Sequence, residues 1–118
     1  MFKIAKDHSF TWPVDVYMPV DGGRTDHKKF VARFRPASVS RSAEVLAAVR
    51  EASLERLDEL DLLKEVLIGW EGVADEDGAE IPFSAEARDT LIDIVYVRAG
   101  LLDAYVKATA GKAVKAKN

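Results

Sequence analysis

The chain contains no cysteine in 118 residues. That excludes a disulfide, a thiolate nucleophile and any cysteine-ligated metal. It also lacks any apolar run near the ~20 residues that a membrane span needs. No targeting pattern is visible at the start, where Met1 leads straight into Phe2-Lys3-Ile4. The expected location is therefore the cytosol. Catalytic signatures are missing too: there is no G-x-S-x-G elbow and no H-E-x-x-H pair. Gly22-Gly23 is followed by Arg24-Thr25, not by the Lys-Ser/Thr of a phosphate loop. Carboxylates such as Glu71 and Asp75 have no evident apolar pocket to drive their pKa values apart. Enzymatic activity is not expected, nor is a cofactor.

What is present suits one soluble domain. Hydrophobic residues make up 48% and charged residues 31%, and a chain of this size buries about 65% of its unfolded surface. We expect an α+β domain over residues 1–111, with a β-hairpin region at 1–36 and a helical region at 37–111. Residues 112–118 read as a small, basic tail that frays. Net charge is only −3, but it is unevenly placed. Residues 1–36 carry +3, residues 37–93 carry −10 and residues 94–118 carry +4. Such polarity favours self-association or charged partners. Solvated faces on two acidic helices account for it equally well.

Phe10, Trp12, Val14, Val16 and Met18 alternate with Thr11, Pro13, Asp15 and Tyr17, which is the period of a strand. Pro13 cannot donate to a ladder and points to an edge position. After the turn cluster Asp21-Gly22-Gly23, Phe30, Ala32 and Phe34 alternate with Val31, Arg33 and Arg35. An antiparallel hairpin follows, with Phe2-Lys3-Ile4 available as a third short strand. Its apolar face (Trp12, Val14, Val16, Phe30, Phe34) needs helices to pack on. Ser38, Ser40 and Ser42 offer caps after Pro36. Leu46, Val49, Leu57, Leu60, Leu63 and Leu67 then form a roughly helical stripe that slips between Ser53 and Asp61. One bent helix or two abutting ones fit this spacing. A further stripe runs through Ala87, Leu91, Ile94, Val95, Leu102, Tyr105 and Val106. Gly100 inside it marks a bend or a close approach of another backbone, since glycine costs ~1 kcal/mol in a helix interior.

Between the stripes lies Val66 to Ser84, VLIGWEGVADEDGAEIPFS. It reads as a helix ending at Gly69-Trp70, an acidic loop (Asp75, Glu76, Asp77, Glu80) turning at Gly78, and a helix start at Ser84. Ile81 and Phe83, around Pro82, are placed to tuck back as anchors. Gly69-Trp70-Glu71-Gly72-Val73, Asp77-Gly78 and Ile81-Pro82-Phe83-Ser84 resemble the tail assembly chaperones of long-tailed bacteriophages. The likeness extends more loosely to Asp61–Glu65 and to Lys117-Asn118, covering the second half of the chain and little of the first third. It implies a chaperone that binds the tape measure protein and helps recruit tail tube protein. It also implies work in the host cytoplasm and absence from the mature virion.

Several sites compete for notice. His8 and His27, each preceded by aspartate, suggest a metal site, but loop histidines are ordinarily just solvated. Read as an EF-hand, the acidic tip puts Val73 and Ser84 at two of four key positions, so calcium is not expected. It is a solvated turn or an electrostatic contact for a basic partner. Lys28, Lys29, Arg33 and Arg35 beside Phe30 and Phe34 suggest nucleic-acid binding by a small regulator, although alternation puts the arginines opposite the rings. Trp70 is a core anchor or an interface hot spot. Leu60, Leu63 and Leu67 with Leu91 and Val95 either line a client groove or belong to the core.

Overall fold

The computed structural model describes residues 1–5, 7–41 and 56–115, except for the side chains of 56–59 and 110–115. The fold is α+β: a three-stranded antiparallel sheet with, among the described residues, three longer helices packed on it, while residues 39–41 are helical as well. Strands β1 (Phe10–Val20) and β2 (Arg24–Phe34) form the expected hairpin, in register from Phe10 opposite Phe34 to Val20 opposite Arg24. Gly22 and Gly23 close it with φ of 85° and 72°, a region that side chains with a Cβ avoid. Strand β1 is an edge strand, as Pro13 requires.

The third strand differs from expectation. Met1 to Ala5 stay outside the sheet and exposed. Strand β3 is instead Leu67–Glu71, which pairs with β2 directly after helix α1 (Arg56–Val66). The helix therefore stops at Val66 and not at Gly69-Trp70. A short apolar run such as Val66-Leu67-Ile68 does not distinguish strand from helix by period, and the open edge of β2 settles the matter by supplying hydrogen-bond partners. The Arg35 N–H donates to the Val66 carbonyl (2.8 Å) at the junction, and the register shifts between Arg33 and Phe34. Arg88 caps the end of α1, its Nη1 donating to the Lys64 carbonyl at 3.0 Å.

Ser84 caps helix α2 (Ala85–Ile92) as expected, its hydroxyl accepting the Ala87 N–H at 3.0 Å. The stripe beyond it is broken at Asp93-Ile94, and helix α3 runs from Val95 through Gly111 to Lys115. Of the two roles expected for Gly100, the structure shows the close approach of another backbone. A Cβ there would overlap the Asp15 carbonyl of β1 and lie 3.4 Å from Val14 Cγ1. The core joins the inner sheet face (Val14, Val16, Ala32, Phe34, Leu67) to Leu63, Val66, Ile92, Leu101 and Tyr105 on the helices. Ser38 accepts the Arg41 N–H at 3.1 Å, as a helix cap does. The stripe positions Leu46 and Val49, and the slip near Ser53, lie outside the described residues.

Candidate functional site

An open, largely apolar groove lies where the start of β1, the segment after β2 and α3 converge. Phe10 and Trp12 come from β1, Pro36, Ala37 and Val39 from the chain after β2, and Tyr105, Ala108 and Thr109 from α3. Its volume is about 620 Å³. Strand alternation explains the floor: Phe10 and Trp12 share a face, and Phe10 lies opposite Phe34. The rings form a chain, with Phe34 5.9 Å from Phe10 and 5.5 Å from Tyr105, and Phe10 edge-on to Trp12 at 6.4 Å. Tyr105 also fixes the wall, because its hydroxyl accepts the Ala37 N–H at 2.9 Å. Trp12 remains 36% exposed at the rim, and His8 stacks on Phe10 at 6.0 Å. Among the described residues no carboxylate belongs to the lining, and the Thr109 hydroxyl donates to the Tyr105 carbonyl at 2.8 Å.

The residues singled out from sequence do not converge on this groove. Leu63 and Leu67 are fully buried, and Leu60 and Leu91 pack half-buried against the same core. In this structure all four side chains contribute to or pack against the core. Val95 is exposed on α3. Trp70 is half-buried: its indole N–H donates to the Ile81 carbonyl at 2.8 Å and its ring meets Phe83 edge-on at 4.8 Å. It therefore anchors the following loop against β3, as Ile81 and Phe83 were expected to. Comparison with known protein families, curated proteins and solved structures finds no match.

The acidic tip is more ordered than a simple solvated turn. Asp75 Oδ1 accepts the N–H groups of Asp77 and Ala79, both at 2.9 Å, while Glu76, Asp77 and Glu80 stay exposed. Asp75→Ala is expected to cost about 1 kcal/mol, whereas Asp75→Asn, which keeps the acceptor, costs little. Urea midpoints of the two variants check this; equal midpoints refute it.

The histidines lie toward opposite ends of the hairpin, so they share no ligand. Among the described residues no group of three or more His, Asp and Glu side chains is placed to hold a metal. His27 Nε2 lies 2.7 Å from Asp15 Oδ1, under a stacked Tyr17, and Lys29 stands 3.8 Å from the same oxygen. The His27 hydrogen bond, with Lys29 adding to it, holds Asp15 below the ordinary carboxylate range despite some desolvation. On the basic strand face, Arg33 and Arg35 are exposed while Phe34 is buried and Phe30 half-buried. Asp15, Asp21 and Asp26 interleave with Arg24, Lys28 and Lys29 along the ribbon and dilute its positive charge, and neither Phe30 nor Phe34 is exposed beside the arginines.

Proposed function

We propose that this chain is a non-enzymatic protein-binding protein whose aromatic groove receives apolar side chains from a helical client. The observation that carries the reading is the groove lining of Phe10, Trp12 and Tyr105, backed from beneath by the buried Phe34. Trp and Tyr are the residue types that anchor protein interfaces, and a client helix docks by inserting apolar side chains at i, i+3 and i+4. Charge adds a preference. The groove is built chiefly from the two net-positive segments, 1–36 and 94–118, which favours a client with acidic residues flanking its apolar stripe.

The resemblance to tail assembly chaperones gives this client an identity. On that reading the partner is the tape measure protein, a long helical chain whose apolar stripes aggregate if left bare, and tail tube protein is recruited later. Work in the host cytoplasm belongs to the same proposal. Nucleic-acid binding by the hairpin has less support, given its interleaved aspartates.

The test uses two designed amphipathic helical peptides with the same leucine stripe, one flanked by glutamate and one by lysine. Fluorescence anisotropy should report tighter binding of the acidic peptide. Trp12→Ala should weaken it about tenfold or more, while Leu91→Ala leaves affinity unchanged. Indifference to Trp12→Ala, or preference for the basic peptide, sinks the groove assignment.

A further inference from the structure

Among the described residues, the large apolar side chains most exposed to water are Met1, Phe2, Ile4 and Val39, the last three at 87%, 88% and 87%. Val39 lines the aromatic groove. The other three lie in the segment Met1–Ala5, shortly before the strand that supplies Phe10 and Trp12. Apolar residues scattered singly over a surface are ordinary, but here two bare apolar sets stand within reach of each other. Five residues separate Ile4 from Phe10, a tether of up to about 20 Å. The chain turns at Asp7, which lets Met1–Ala5 reverse over the groove. In an extended segment Phe2 and Ile4 share one side and Lys3 takes the other.

We infer that Met1–Ala5 is a strap that closes over the aromatic groove of its own chain, seating Phe2 and Ile4 between Trp12 and Val39. The consequence for client binding rests on the function proposed above; the geometry of the strap does not. In this structure the strap stands open, with both side chains in water. The groove, at about 620 Å³, is of a size that takes a whole drug-sized ligand, so two side chains fit. Lys3 stays outside, on the solvent side of the extended segment. Connection selects the occupant: a segment on a short tether meets its site at a millimolar effective concentration, without any second molecule. Burying either side chain shifts the balance toward closure by about tenfold or more, while ordering the strap backbone opposes it. The opposing effects are of similar size, so the strap closes without locking. A client helix that offers several apolar side chains at once displaces it, and until then the strap shields the rings.

Nuclear Overhauser contacts in the full chain, with no client added, read closure directly. The Phe2 ring should contact the Val39 methyls, and the Ile4 methyls should contact the Trp12 indole. Both contacts should be equally strong at about 20 and about 500 µM, as an arrangement within one chain requires. Their absence overturns the inference, and growth with concentration overturns closure within one chain in favour of arms exchanged between copies. Phe2→Ser combined with Ile4→Ser should raise affinity for the glutamate-flanked peptide at least about threefold, because apparent affinity scales with the open fraction. Both positions are exposed, so the far-UV circular dichroism spectrum should not change. Unchanged or weaker binding by this double variant, where Trp12→Ala still weakens the peptide, overturns the strap as a competitor. Indifference of the peptide to Trp12→Ala refutes the groove as client site, and the Overhauser contacts then decide closure by themselves.

Discussion

Replacing Gly100 with alanine should lower stability by about 2–3 kcal/mol. Helix propensity alone gives the opposite sign, a gain of about 1 kcal/mol for removing glycine from a helix interior. The contact reverses it. An added Cβ meets the Asp15 carbonyl, which is strand backbone and has no rotamer to yield with. Relief requires α3 to lift from β1, loosening Leu101 and Tyr105, which are buried against the sheet on the same helix. Urea unfolding with an unchanged slope and a lower midpoint is the expected result. A raised midpoint would mean that the helix is free to shift and that ordinary propensity governs this position.

Trp70→Ala should cost about 3 kcal/mol, the lower part of the range for large aromatic truncations because the ring is only half-buried. Its effect should divide into two parts that Trp70→Phe separates. Phenylalanine keeps a ring against Phe83 and loses the indole N–H that the Ile81 carbonyl accepts, so about 1 kcal/mol should go with that bond. Client binding at the groove should be untouched in both variants, since Trp70 is not among its lining residues. A Trp70→Ala protein of normal stability that fails to bind a client would make this residue an interface anchor instead.

The sequence was most legible where a period was clean and its punctuation unambiguous. The alternation from Phe10 to Met18 and from Phe30 to Phe34, around Asp21-Gly22-Gly23, specified the hairpin, its inner face and the edge position of β1. Ser84, followed by a helical stripe, specified the start of α2. Leu67 to Trp70 was not legible, because a short apolar run is compatible with either structure until a partner strand is known. The break at Asp93-Ile94 was hidden for a similar reason, since apolar residues on both sides of it stay in helical phase. The groove was hidden most thoroughly. Phe10 and Trp12 read as sheet face, Tyr105 as helix stripe and Ala37 as connection, and only their meeting in space makes a concavity. The one local trace was aromatic density at His8, Phe10 and Trp12.

The sheet is covered from the far end of the chain. Val14, Ala32 and Phe34 are in place as soon as the hairpin closes, yet the residues that shield them include Val97, Leu101 and Tyr105. During synthesis the N-terminal part folds first, so a finished hairpin waits on the ribosome with its apolar face incompletely covered until the residues of α3 have been made. The groove does not exist in that interval, because Tyr105 supplies both a floor ring and the anchor for Ala37. A prematurely terminated product would carry the sticky surface without the means to bind a client. The nascent chain is thus in the same predicament as the proteins we propose it protects.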